Sequence, residues 1–130
     1  MKHIFPDTIK RVQINTDAEI NGRIMERTLD NICDFVCKSK EEINERINEL
    51  DSEWDIERVL ETNAGTAIII STILGSKVNK KWFFATGVVG GFLLQHALFG
   101  WCPPVSILRR LGIRTSSEIN FEKETLKKQL

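Results

Sequence analysis

Apolar side chains first settle into helical spacing between Ile20 and Val36, where Met25, Leu29, Ile32 and Val36 recur with Ile20 and Ile24 beside them. Thr16-x-x-Glu19 ahead of this stripe has the spacing of a capping box, so a helix is expected from roughly Asp17 to Cys37. A second box, Ser39-x-x-Glu42, opens the stripe Ile43, Ile47, Leu50 and Trp54. It predicts a helix from roughly Lys40 to Leu60, with Glu42 and Arg46 paired on its outer face. The short link at Lys38-Ser39 folds these two helices back as an αα-hairpin. Upstream, Val12 and Ile14 alternate with Arg11, Gln13 and Asn15, and Pro6 disfavours an early helix, so residues 1–15 read as an extended arm.

Beyond Leu60 the pattern changes. No residue from Trp82 to Leu108 is charged, and at about 1.5 Å of rise per residue the stretch Trp82 to Cys102 covers the roughly 30 Å of a bilayer's hydrocarbon. A weaker apolar stretch, Val59 to Gly75, precedes it, and the polar run from Ser76 to Lys81 supplies a turn. Residues 59–102 are therefore expected to form a transmembrane helical hairpin. The helix before it either continues into the first span or bends near Asn63-Ala64-Gly65, where helix propensity falls. After Pro103-Pro104, the residues Val105, Ile107, Leu108 and Leu111 with Arg109 and Arg110 suggest a short interfacial helix ended by Gly112. A third box, Thr115-x-x-Glu118, then opens a polar tail helix. The expected fold is all-α in three parts: a cytosolic helical domain over 1–58, the hairpin over 59–102, and the interfacial and tail helices over 103–130.

Charge sharpens this division. Residues 1–62 carry 15 acidic and 9 basic side chains, residues 63–130 carry 3 and 9, and no Asp or Glu lies between Glu61 and Glu118. A net charge of zero without a basic stripe argues against nucleic acid as a partner, because that affinity rests on neutralising phosphates. Cys33, Cys37 and Cys102 are an odd number and no secretory h-region precedes them, which fits free thiols facing a reducing compartment. Cys33 and Cys37 are one helical turn apart, a poor zinc spacing, so neither a metal site nor a cofactor is expected. His3 is alone at the terminus and is given no role.

Small residues recur through the two spans at Ala67, Ser71 and Gly75 and at Gly87 and Gly91, the kind of face that lets helices approach closely in lipid. A turn centred between Val78 and Asn79 puts Ala67 level with Gly90, Ser71 with Thr86, Thr62 with Gln95 and Glu61 with His96. Glu61, Asn63, Gln95 and His96 thus form a candidate polar cluster near one interface, where an ionisable group needs a partner. Cys102, at the end of the second span, is a candidate thiol. No catalytic residue set is visible.

The segment GFLLQHALFGWCPPVSILRRLGIRT resembles the YgaP-like inner-membrane transmembrane domain family, through Gly100, Trp101, Cys102, Pro103, Leu111, Gly112, Ile113 and Thr115. The resemblance spans about residues 55–117, with residues 1–54 similar to a helical extension found in one branch. It implies a two-helix hairpin in the bacterial inner membrane. Some members join the hairpin to a rhodanese domain, but this chain has no rhodanese cysteine loop, so sulfur transfer does not carry over. The leading expectation is a small integral membrane protein with no enzymatic activity, an anchor or interaction module that contacts lipid, self-associates and engages another membrane or cytosolic protein. Its termini are expected in the cytoplasm. The alternatives are an accessory in sulfur or thiol-redox traffic that uses Cys102 beside His96, and a soluble helical protein that buries residues 64–108 as a core hairpin.

Overall fold

In the computed structural model, which describes residues 5–130, every regular element is a helix; His3 lies outside the described residues. The elements are α1 (Arg11–Ile14), α2 (Ala18–Val36), α3 (Lys40–Ser52), α4 (Ile56–Lys77), α5 (Trp82–Phe99), α6 (Pro103–Arg110) and α7 (Ser116–Lys127). Two of the three expected capping boxes form. Ser39 Oγ accepts from the Glu42 N–H and the Glu42 carboxylate accepts from the Ser39 N–H, and Thr115 and Glu118 do the same at the start of α7. The first box does not form, because the Thr16 hydroxyl donates back to Val12 O at 2.7 Å and leaves Asp17 as an N-cap with no side-chain bond.

Three further expectations are corrected. The arm is not extended: Arg11–Ile14 coils as α1 because that places Val12 in a core with Ile56, Leu60, Cys102 and Val105. The helix beginning at Lys40 does not reach Leu60. It stops at Ser52, and Asp55 caps a new helix by accepting from the Arg58 N–H at 2.8 Å, leaving Trp54 half-exposed with the Arg58 guanidinium over its ring. Asn63, Ala64 and Gly65 run through α4 without interruption. Finally, Arg46 does not pair with Glu42 but with Glu49 and Glu122.

That last pairing belongs to the feature that unites the chain outside the hairpin. Helix α7 is no solvated tail: it lies across α2 and α3, with Ile119 and Leu126 packed into the apolar cluster of Ile43, Ile47 and Leu50. Beside this core two arginines are buried, each 2 % exposed or less. Arg109 donates to both oxygens of Glu118 at 2.5 and 3.0 Å and to Asn21 Oδ1 at 2.8 Å. Arg114 donates to both oxygens of Glu53 at 2.7 and 2.9 Å and to Glu122 at 2.5 Å, while the second Glu122 oxygen accepts from Arg46. Burial alone would lower the pKa of Arg114; its bonds to Glu53 and Glu122 outweigh that and raise it. Burial likewise pushes the Glu118 carboxyl up, but the Arg109 guanidinium and the Thr115 N–H hold it below the ordinary carboxylate value.

Helices α4 and α5 pack antiparallel, and both are long and apolar enough to cross a membrane. Ser71 and Thr86 share a hydrogen bond of 2.5 Å, as equal depth requires, and a Cβ at Gly75 would come within 2.9 Å of the Phe83 ring. Ala67 is half-buried along the same seam. The glycines of α5 do not join it. Thr86, Val89, Leu93 and His96 set the inward face, so Gly87 and Gly91 turn outward, with nothing within 4 Å of a Cβ built on either. A soluble core hairpin over 64–108 finds no support, since His96 is the one buried residue of α5 and Ile69, Phe84 and Leu94 are 62, 80 and 62 % exposed.

Two outcomes follow from this packing. Gly75→Leu should destabilise the detergent-solubilised protein by about 1–3 kcal/mol, as overpacking does, whereas Gly91→Leu should leave thermal stability near that of the parent. Glu118 has a folded-state pKa below its unfolded value of about 4.3, so its stabilisation is complete above that value and is lost as pH falls through the folded one. A pH series of thermal melts should show this acid loss in the parent. Glu118→Gln should be less stable at neutral pH and flatter toward acid.

Candidate functional site

Where the hairpin meets the helices outside it, three polar side chains from three elements converge. The Asp55 cap starts α4 so that Glu57, in its first turn, faces the last turn of α5. His96 comes from that last turn and is 4 % exposed. Arg11 comes from α1. Glu57 Oε2 lies 2.8 Å from His96 Nε2, and Glu57 Oε1 accepts from Arg11 Nη2 at 2.8 Å, so one carboxylate is gripped from both sides. Arg11 Nη1 also donates to Thr8 O at 2.7 Å. Two buried nitrogens of the cluster, His96 Nδ1 and Arg11 Nε, have no partner.

Backbone conformation admits α1 to this place. Gly100 ends α5 at φ +77°, in the left-handed region, and a Cβ there would lie 2.5 Å from the Arg11 backbone. Only glycine fits both demands. Asn15, just after α1, donates its amide to Phe99 O at 2.7 Å and fastens the same junction.

The expected cluster of Glu61, Asn63, Gln95 and His96 is therefore brought together only in part. His96 is buried and paired, but its partner is Glu57, one helical turn before Glu61, and Glu61 is exposed. Equal depth fixes a residue's height along the hairpin and not its rotation about the helix. Leu60 and Ala64 turn inward at that height and carry Glu61 to the outside. Asn63 and Gln95 make no hydrogen bond to His96 or Glu57; Asn63 instead edges an apolar cleft of about 230 Å³ lined by Leu60, Ala64, Ala67, Val89 and Phe92. Arg11 left no signal in the sequence, because its segment reads as extended. Glu57 was within one turn of the equal-depth position.

Cys102 is fully buried as the N-cap residue of α6, where its carbonyl accepts from the Val105 N–H at 3.0 Å. With no solvent exposure the thiol is closed to a soluble reaction partner, so nothing here supports the thiol-redox alternative. Cys33 and Cys37 are exposed and free, and no group of three His, Cys, Asp or Glu among the described residues could hold a metal ion. The arrangement can do one thing plainly: Glu57 latches the end of the hairpin to α1.

Residues 55–118 match the family described as inner membrane protein YgaP-like, transmembrane domain. No curated protein and no solved structure gives a match. The matched segment begins at the Asp55 cap and ends at Glu118 of the third box, so it includes Glu57 and His96 and leaves Arg11 outside.

A double-mutant cycle tests the latch. Glu57→Gln and His96→Gln should be coupled by about 0.5–3 kcal/mol in detergent melts, whereas Glu61→Gln should change stability by no more than about 0.5 kcal/mol. Additive losses at Glu57 and His96 would dissolve the pair.

Proposed function

Residues 55–118 are a transmembrane domain of the YgaP-like inner-membrane family, and from that premise we propose that the protein is a membrane-anchored interaction module with no catalytic role of its own. The observation that carries this reading is the outer surface of the hairpin. It is apolar on both helices, with Ile69, Ile70 and Ile73 on α4 and Phe84 and Leu94 on α5 exposed. On α5 it also presents Gly87 and Gly91 with nothing packed on them. Glycines four apart on a lipid-facing surface let a second helix approach to backbone contact, so a second copy of the hairpin is the proposed occupant. The helices outside the membrane are held to the hairpin by the Glu57 latch and offer a surface to another protein. Arg46, Arg58, Arg109, Arg110 and Arg114 near the end that bears the termini outnumber Lys77, Lys80 and Lys81 at the turn, which favours termini in the cytoplasm.

Fractionation and labelling test this together. The protein should stay with membranes through alkaline carbonate. In a Cys33→Ser/Cys37→Ser background, Asn79→Cys should react with a membrane-impermeant maleimide in intact cells. Gly91→Leu should reduce cross-linked dimer without releasing the protein from the membrane. Release by carbonate would end the membrane reading, protection of the turn cysteine would invert the topology, and undiminished dimer would move the contact to another face.

A further inference from the structure

The arginines of this chain fall into two groups. Arg11, Arg46, Arg109 and Arg114 are each paired with a carboxylate, and Arg58 lies over the Trp54 ring. The other three, Arg23, Arg27 and Arg110, are exposed, and no carboxylate among the described residues comes within 4.0 Å of any of them. All three meet at one place: a cleft of about 230 Å³ between α2 and α6, with no acidic residue in its lining. We propose that this cleft binds the phosphate of an anionic phospholipid headgroup.

The cleft is built to present guanidinium groups. Gly112 closes α6 at φ +87°, and a Cβ there would stand 2.9 Å from Arg27 Nη1. The glycine thus makes room for the Arg27 side chain, whose Nη2 donates to Gly112 O at 2.7 Å and is held at the rim. Arg109 forms the floor with its charge already matched by Glu118. Three planar cations around one small space repel each other until an anion enters, and a phosphate can accept paired N–H bonds from each.

Location selects the source of the phosphate. Asn15 ties the start of α2 to the end of α5, and α6 begins at Pro103, so the cleft, formed by the first turns of α2 and the last turn of α6, lies about two helical turns from the end of the hairpin. Next to Arg110 the chain exposes Leu111 and Ile107, 71 and 61 % accessible, with Trp101 on the same connection. Apolar side chains beside cations at this depth suit a lipid, whose acyl chains cover the first while its headgroup meets the second. A free anion would leave Leu111 and Ile107 uncovered. The proposal rests on the membrane reading of the hairpin.

The test uses the full chain in a non-ionic detergent, titrated with dioctanoyl-phosphatidylglycerol, dioctanoyl-phosphatidylcholine or inorganic phosphate and followed by thermal shift. The expected result is stabilisation by phosphatidylglycerol well beyond that by the other two. Arg23→Gln/Arg110→Gln should weaken the phosphatidylglycerol response roughly 10- to 30-fold while the protein remains folded by circular dichroism and pellets with membranes. Both side chains are exposed, so this variant is expected to fold; Lys127→Gln/Lys128→Gln, equal in charge, should bind as the parent does. Equal responses to the two lipids, an equal response to inorganic phosphate, or equal losses in the two double variants would each overturn the headgroup site. Those results in a protein that still pellets with membranes would leave the membrane reading standing, whereas a soluble parent would remove both.

Discussion

A guanidinium taken out of water must find its counter-charges, and Arg114 finds three oxygens on two carboxylates that the chain supplies 61 residues before it and 8 residues after it. The penalty for an unpaired buried ion is several kcal/mol, comparable with the whole stability of a small domain. The link between α6 and α7 is therefore tied to the α3–α4 junction, with Glu122 sharing the charge of Arg114. Arg109 repeats the constraint with Glu118 and Asn21, joining α6 to α7 and α2. Because both arginines follow the hairpin while Glu53 and Asn21 precede it, the helices on either side of the membrane segment close into one body at its end.

The hairpin is governed by a different rule. With lipid as solvent there is no gain from hiding apolar side chains, so α4 and α5 meet through small and hydroxyl groups: Ser71 on Thr86, and Gly75 beneath Phe83. Ile69, Phe84 and Leu94 point outward. The one strongly polar group on the inner face of α5 is His96, and it is satisfied at the very end of the span, where Glu57 and Arg11 reach it.

Much of this was legible in the sequence where a local rule acts alone. Ser39-x-x-Glu42 and Thr115-x-x-Glu118 cap as written, although the Thr115 hydroxyl also accepts from Gln13 and shares a bond with Ser117. The charge-free run after Trp82 and the register that puts Ser71 level with Thr86 also hold, because helical rise and a short turn fix them. What escaped were choices made between distant segments. Thr16 lost its box to α1; the stripe from Ile43 ended at Ser52 because Glu53 is drawn to Arg114; and the pairing of His96 passed from Glu61 to Glu57 by rotation about α4. The spacing of Gly87 and Gly91 predicts a packing face, but spacing does not say which side of a helix its partner occupies.

The family match begins at residue 55, yet Arg11, Glu53 and Glu122, which complete the charges of Glu57 and Arg114, and Arg46, which pairs with Glu122, all lie beyond its limits. The boundary of the recognisable module is thus not a boundary of folding. Grafting another N-terminal domain onto Asp55 would take Glu53 and Thr28 from Arg114 and leave it Glu122 alone, a carboxylate that would itself have lost Arg46. The N-terminal helices and the segment from Leu111 to Thr115 are, in this sense, one folding unit cut across by the edge of the module.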